Sequence, residues 1–512
     1  MTDSTKGAVW HLQTPEALQD FASRLAPFLS ASDFIGLRGD LGAGKTTFAQ
    51  GLLKALGIEK GVTSPTYQLV HAHSAGVRTV YHCDFYRIGP FEEEDIGFRE
   101  MCETGAVVAE WPEMLRCALP ENRLEVRIVE ENDGRQVSLI GFGAWQRKLH
   151  RFREICSFLA PLGWKEAACV AIKGDASARL FSRLGGSRGT AMLMDWPPLP
   201  DGPPIRDGKP YCDIAHLARE GEPFLAVSNW LRNEAGLSAP AVFSGDRDRG
   251  LYLVEDLGDA VFGQLVAEGK PLEPLYALAV DGLLALRASN PPQILPGHYG
   301  AYRVPEFDRE AFEIEIDLLI EWYFKLSGET ESRSRRADSF LAAWSPLLDW
   351  LQDEPKSLIL RDYHSPNLLL CPERDDLRRL GVIDFQDALW GHPAYDLVSL
   401  LQDARLDVPD ESEAALFARY CDAAEKADAR FDRGAFAKAY AILGAQRNTK
   451  ILGIFARLSL RDGKHGYLAH LPRIARYLLK NLSHPDLKPL KAWYEDHLKI
   501  LLSAGESPAV SA

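Results

Sequence analysis

The sequence predicts two folded parts in one chain: an α/β domain over residues 1–143 and an α+β domain over residues 144–505, followed by a flexible tail at 506–512. Three observations carry this reading. Before residue 143, short apolar runs alternate with segments of helical spacing, the pattern of a strand–helix layer fold. Around Gly141–Trp145 the alternation gives way to one long amphipathic stretch. From residue 261 onward most segments read as helical, apart from the stretch between Asp362 and Asp384. At ~100–200 residues per domain, 512 residues suggest two to four domains.

The composition is that of a globular protein, with 46% apolar and 25% charged residues. A net charge of −14 argues against a sequence-blind nucleic-acid binder, which needs a basic face, and leaves room for a local basic patch. The eight cysteines form no C-x-x-C pair and no metal-ligand rhythm, so they read as scattered thiols of a reducing compartment. The opening "MTDSTKGAVWHLQ" has neither a basic nor an apolar leader region, and no apolar run approaches the ~20 residues that span a bilayer. A cytoplasmic location without membrane contact is expected.

In the first domain, "DFIGLRGD" reads as a strand ending in a loop, and "KTTFAQGLLKALGI" as a helix burying Phe48, Leu52, Leu53 and Leu56. "TVYHCDFYRI" and "GAVVAEWPE" are further strands. "RLEVRIVEENDGRQVSLIGFG" alternates, turns at Asn132-Asp133-Gly134 and resumes, which predicts a hairpin. Between the first strand and its helix lies Gly39-x-x-x-x-Gly44-Lys45-Thr46, with Gly42 inside and Thr47 following. This is the full P-loop pattern: glycines let backbone N–H groups wrap phosphates, and the helix N-terminus adds partial positive charge. Lys45 would reach the terminal phosphates of ATP, and the Thr46 hydroxyl would ligate Mg²⁺. Hydrolysis also needs a carboxylate at the metal, for which Asp84 in "HCDFYR" and Glu110 at the end of "AVVAEWP" are candidates.

Together "GDLGAGKTTFAQGLLKALGI", "VTSPTYQLV", "YHCDFYRI" and "EWPEML" resemble the TsaE family, small ATPases of bacterial tRNA threonylcarbamoyladenosine synthesis, over about residues 10–140. The resemblance implies ATP turnover in a complex with TsaD-like and TsaB-like partners, with tRNA reached only through that complex. It further implies a switch-like segment at Ser64-Pro65-Thr66-Tyr67, metal and hydrolysis roles for Asp84 and Glu110, and a place beside them for Trp111. The alternative is a nucleotide-dependent scaffold without turnover of its own.

The second domain begins with "AWQRKLHRFREICSFLAPLGW", a helix with Trp145, Leu149, Phe152, Cys156 and Leu159 on one face and a basic face that reads as solvated. "ACVAIKGDASARLFSRLGGSRGTAMLMDWPP" reads as strands around a Gly-containing loop, "PPLPDGPPIRDGKP" as an exposed loop, and "GLYLVEDLGDA" as a strand entering a turn. "KGDASARLF" could cover ATP, and the backbone at Glu255–Leu257 could read the adenine edge. In "RDYHSPNLLL" Asp362 precedes Asn367 by five residues, and in "GVIDFQDA" a short apolar strand delivers Asp384. These are the residue types of phosphoryl transfer: Asp362 to accept the proton of the substrate hydroxyl, Asn367 and Asp384 to hold Mg²⁺. Asp387 reads either as an addition to the metal site or as a turn cap, with the turn preferred.

These stretches, with "VSNWLRNEAGLSAP", "LWGHPAYDLVSLLQDAR" and "RNTKILGIFARL", resemble the aminoglycoside phosphotransferase-like kinases over about residues 150–480, and within them the AmgK-like anomeric kinases of cell-wall recycling. The resemblance implies a protein-kinase-like domain with a small mixed N-lobe and a mainly helical C-lobe, and a sugar 1-phosphate made from ATP and an amino sugar, N-acetylmuramate or N-acetylglucosamine. One departure stands out. The strand "TAMLMDWPP" carries Met192 and Met194 and no lysine to clamp the α- and β-phosphates. Lys173, Arg179 and Arg183 are the substitutes, and Arg179 is the choice. Arg405 and Arg447 are candidates for a substrate carboxylate. The alternatives are another small alcohol, such as an aminoglycoside or choline, or a pseudokinase.

Overall fold

The computed structural model describes residues 9–58, 69–75, 78–87, 96–131, 133–172, 179–198, 202–327 and 333–498. The chain divides into two compact units, one of Met1–Pro197 with Val242–Asp256 and one of Pro198–Ala241 with Leu257–Ala512.

The first unit holds two sheets. The larger has seven strands, β1 (Val9–Leu12), β2 (Phe34–Arg38), β3 (Val70–Ala75), β4 (Arg78–Asp84), β5 (Gly105–Glu110), β6 (Arg123–Glu131) and β7 (Gly134–Phe142), in the order β1-β7-β6-β2-β5-β4-β3. β2 runs parallel to both β5 and β6, and β4 parallel to β5. Every residue of β5 is buried, the near-continuous apolar run of a strand covered on both faces. β6 and β7 form the predicted hairpin, with Glu131 opposite Gly134; Asn132 of its turn lies outside the described residues.

Helix α1 (Pro15–Ser23) starts at Thr14, whose hydroxyl accepts from the Ala17 N–H. Helix α2 (Lys45–Ala55) buries Phe48, Leu52 and Leu53 as expected, while Leu56 falls at its C-cap. It closes with Gly57 (φ 84°) bonding the Lys54 carbonyl and Ile58 the Leu53 carbonyl, a Schellman ending. Helix α3 spans Phe98–Thr104.

The smaller sheet contains β8 (Ala168–Ile172), β9 (Leu180–Gly186) and β10 (Gly189–Asp195), continued by strands Leu251–Val254 and Val242–Asp246. All of its pairings are antiparallel.

Helix α4 (Trp145–Leu159) serves both sheets. Trp145, Leu149 and Phe152 enter the core of the seven-stranded sheet with Leu18, Phe21 and Phe48. Ile155, Phe158 and Leu159 enter the core of the five-stranded sheet with Leu184, Leu193 and Leu253. Its basic face is not simply solvated: Lys148 pairs with Asp33 at 2.5 Å and Arg151 with Asp195 at 2.5 Å, all of them at least half-buried. The acids on the two flanking sheets were separated in sequence from the helix, so its charge pattern alone read as a solvent face.

The second unit is mainly helical. Its helices include Glu222–Asn233, Leu272–Ala288, Arg309–Leu318, Ala394–Leu401, Asp410–Ala427, Arg433–Asp462 and Leu471–Leu482. The 30-residue helix Arg433–Asp462 passes so close to Arg309–Leu318 that a Cβ on Gly453 would stand 2.3 Å from the Leu318 carbonyl carbon. Among its described residues four short antiparallel pairs interrupt the helices: Pro204–Arg206 with Lys209–Pro210, Ile294–Pro296 with Ala301–Arg303, Ser357–Ile359 with Leu389–Gly391, and Leu368–Leu370 with Leu380–Val382. Among the described residues no helix is long and apolar enough to cross a membrane.

Candidate active sites

The first candidate site forms where β2, β4 and β5 end beside the N-terminus of α2. Gly39, Gly42 and Gly44 have φ of 146°, 83° and 110°. A Cβ at Gly39 would lie 2.2 Å from the Ile128 carbonyl oxygen, so no other residue fits that position. The loop is further held by Arg135, whose Nε donates to the Ala43 carbonyl at 2.9 Å. Lys45 is buried, and its ammonium donates to the Gly39 and Asp40 carbonyls at 2.7 and 2.8 Å while lying 3.8 Å from the centre of the Trp111 ring. Burial pushes its pKa down, against the raising effect of Glu110.

Asp84 and Glu110 end neighbouring parallel strands in direct register and are both buried. Glu110 accepts from the Thr46 hydroxyl at 2.9 Å, and Asp84 accepts from the Tyr86 N–H at 3.0 Å. Trp111 turns the chain with φ 58° and lies against Tyr86, ring centres 4.8 Å apart. Thr47 is half-buried in the first turn of α2. Thr66 lies outside the described residues, as do Ser64, Pro65 and Tyr67. Thr46, Asp84 and Glu110 offer hard oxygen donors next to a phosphate-shaped backbone loop, a set that fits Mg²⁺.

The second candidate site is built within the second unit. The pair Leu368–Leu370/Leu380–Val382 sets Leu368 opposite Val382, so Asn367 and Ile383 meet just beyond its open end. There the Ile383 N–H bonds the Asn367 carbonyl at 3.0 Å. The Asn367 amide donates to the Asp362 carbonyl at 3.0 Å and approaches Asp384 Oδ2 at 3.4 Å, bringing the three sequence-predicted residues together. The Gln386 side-chain amide donates to Asp384 Oδ1 at 3.1 Å, and Phe385 stacks on Phe224 with ring centres 5.0 Å apart. One amide oxygen and one carboxylate suit Mg²⁺, which takes few protein ligands and keeps phosphate and water oxygens. Among the described residues no three His, Cys, Asp or Glu side chains converge as a metal cluster on their own.

The loop carrying Asp362 is fixed from below by residues the sequence reading did not single out. Asp396 accepts from the Leu360 and Arg361 N–H groups at 2.6 and 2.9 Å; burial outweighs those bonds and pushes its carboxyl up to about 7. The buried Arg361 guanidinium donates to the Ala215 carbonyl at 3.0 Å and pairs with Glu315. Glu315 also takes Lys450 and Gln446, each at 2.7 Å. Burial alone would raise the Glu315 carboxyl, but Lys450 and Arg361 outweigh it and pull it down to about 2. Asp403 accepts from the Ser365 N–H at 2.8 Å. Asp387 accepts from the Ala218 N–H at 2.7 Å.

The remaining candidates have the following surroundings. Arg179 lies over the Trp196 ring at 5.1 Å, Arg183 pairs with Asp256 at 2.7 Å, and Glu255 is half-buried just after strand Leu251–Val254; all belong to the first unit. Lys173 and most of "KGDASARLF" lie outside the described residues. Arg405 lies 5.7 Å from the Tyr467 ring centre. Arg447 is 5% exposed, and its Nη1 has no hydrogen-bond partner among the described residues.

His82 was also missed. It is fully buried and reaches Glu110 at 3.0 Å. Its signal was available, because two residues before Asp84 on a strand means the same face.

Comparison with known proteins finds two families along the sequence, and the second match takes in strands of the first unit. Residues 12–137 match the family of threonylcarbamoyl adenosine biosynthesis protein TsaE, and residues 168–435 match the phosphotransferase enzyme family. The N-acetylmuramate/N-acetylglucosamine kinase of Caulobacter vibrioides is 37% identical over 67% of this chain and 96% of its own length. Its namesake from Pseudomonas aeruginosa is 30% identical over 62% of this chain and 85% of its own. The tRNA threonylcarbamoyladenosine biosynthesis protein TsaE of Bacillus subtilis is 34% identical over 30% of this chain and 92% of its own. The chain belongs to the TsaE family through residues 12–137 and to the phosphotransferase enzyme family through residues 168–435.

Proposed function

We propose that the chain is a bifunctional enzyme. Residues 1–143 would act as an ATPase supporting threonylcarbamoylation of tRNA with TsaD-like and TsaB-like proteins. Residues 144–505 would transfer the γ-phosphoryl group of ATP to the anomeric hydroxyl of N-acetylmuramate or N-acetylglucosamine. The observation that carries the kinase reading is the meeting of Asp362, Asn367 and Asp384 at the end of one short strand pair.

In that reaction Asp362 takes the proton of the attacking hydroxyl as the new O–P bond forms and ADP leaves. Asn367 and Asp384 would hold magnesium, which when bound neutralises phosphate charge. The rigid loop keeps the base in position, so the barrier falls chiefly through orientation. In the first site Lys45 would exchange the Gly39 and Asp40 carbonyls for phosphate oxygens, and the Thr46 hydroxyl, Asp84 and Glu110 would face the metal.

A panel of amino sugars incubated with ATP and read by phosphorus NMR tests the kinase half. An anomeric phosphate from wild type and from Lys45→Ala, and none from Asp362→Ala, is the expected result. No sugar phosphate from any member of the panel would remove the substrate class.

A further inference from the structure

We propose that His82 is a positioning residue of the P-loop site, holding Glu110 so that the Glu110 carboxylate and the Thr46 hydroxyl are presented together to the magnesium of a bound nucleotide. The inference rests on the nucleotide-site reading given above and extends it to a residue with no phosphate or metal contact of its own.

The chain of contacts is short and directional. His82 Nε2 stands 3.0 Å from Glu110 Oε1, and Glu110 Oε2 accepts from the Thr46 hydroxyl at 2.9 Å. Thr46 is the second residue of α2, next to the loop that would cradle phosphate. His82 is 0% exposed, and its Nδ1 is buried with no hydrogen-bond partner among the described residues. A bare ring nitrogen tolerates that position better than an unmet N–H donor, so Nε2 carries the hydrogen and donates to Glu110.

The geometry explains why a histidine stands there. A carboxylate at the end of a side chain turns freely about its last torsion unless one oxygen is held. With Oε1 held by His82, Oε2 is aimed at α2. Having donated its one hydrogen to Oε2, the Thr46 hydroxyl keeps its lone pairs for a cation. The strand register supplies the alignment: His82 and Asp84 share a face of β4, and Asp84 is paired with Glu110 across to β5. If His82 served only to fill the core, an apolar side chain of similar size would do the same work.

The test uses the full-length chain and a fluorescent N-methylanthraniloyl-ADP titration, run with Mg²⁺ and with EDTA, on wild type, His82→Leu and His82→Gln, with the binding shown by Lys45→Ala subtracted in each buffer to remove the contribution of the second nucleotide site. Leucine keeps the bulk and loses the donor; glutamine keeps a donor at comparable reach. The expected result is that all three bind the nucleotide alike in EDTA. In Mg²⁺, His82→Leu should lose ~10–100-fold in affinity relative to wild type, the usual loss when the partner of a metal-facing group is removed. His82→Gln should recover most of it, and thermal melting checks that each variant is folded. Should leucine gain as much from Mg²⁺ as wild type, or lose affinity equally in EDTA, the positioning role is wrong. The same holds if glutamine behaves like leucine. Wild type that binds no nucleotide in either buffer would instead overturn the P-loop reading beneath it.

Discussion

Arg361 and Asp384 both adopt the left-handed region, with φ of 69° and 61°. For a residue other than glycine this costs ~1–3 kcal/mol and persists only where the surroundings enforce it. The enforcement is visible: Asp396 takes the Arg361 N–H, Ala215 and Glu315 take its guanidinium, and Asn367 and Gln386 flank the Asp384 carboxylate. Asp362, next to Arg361, is thus carried on a loop with no freedom to drift. Asp362→Asn should therefore leave the fold and the KM for ATP near wild type while lowering kcat by ~10²–10⁴-fold, the contribution of a general base. Steady-state assay of sugar-dependent ADP release checks it, and a kcat within a few-fold of wild type would exclude Asp362 as the base. Arg447 gives a second prediction at this scale. An unpaired, buried guanidinium N–H carries a desolvation cost that a carboxylate-bearing substrate could relieve. Arg447→Met should raise the KM for N-acetylmuramate and leave that for N-acetylglucosamine, which lacks the lactyl carboxylate, nearly unchanged. Equal effects on the two sugars would separate Arg447 from substrate recognition.

At the scale of elements, Glu315 ties three segments together: helix Arg309–Leu318, the Arg361 loop and helix Arg433–Asp462 through Gln446 and Lys450. Its carboxyl titrates at about 2 against an ordinary 4.5. Between those values the unfolded chain binds more protons than the folded one, so stability rises with pH there and is lost on acidification. The contribution is complete above about pH 5 and amounts to ~3 kcal/mol. The urea midpoint of wild type should fall from pH 5 to pH 3, and Glu315→Gln should be less stable throughout but flatter in that window. Identical pH slopes would show that Glu315 is not the group responsible. The same triad marks what could be read from the chain alone. Asp362, Asn367 and Asp384 were legible because their signals are local, a fixed spacing and an apolar strand ending in an acid. Glu315 lies 46 residues from Arg361 and Asp403 lies 38 from Ser365, separations at which a single sequence offers no pairing information. For the same reason His82 looked like one more strand residue, although its period-two relation to Asp84 is a local feature of the sequence.

At the scale of the whole chain, the change of pattern at Gly141–Trp145 is a change of secondary structure more than an end of packing. The first half of α4 completes the core around β1, α1 and α2: the Phe152 ring lies 5.8 Å from Phe21 and 5.9 Å from Trp10. Beyond α4, the Arg24 side chain bonds the Ala167 carbonyl at 2.9 Å, and the Ser23 hydroxyl accepts from the Cys169 N–H at 2.9 Å, so the end of α1 also holds edge strand β8. An N-terminal fragment cut at residue 143 would keep the entire P-loop motif and still expose Phe21, Trp10 and Leu18 where Trp145, Leu149 and Phe152 had covered them. A fragment ending at residue 160 would retain that cover. The shorter fragment should be markedly less stable, since removing Phe152 alone from such a site costs ~3–5 kcal/mol. Urea unfolding of the two fragments beside Phe152→Ala in the full chain measures the difference. Matching midpoints for the two fragments would mean that α4 packs on the P-loop half without stabilising it, and that the boundary in the sequence is also the boundary in energy.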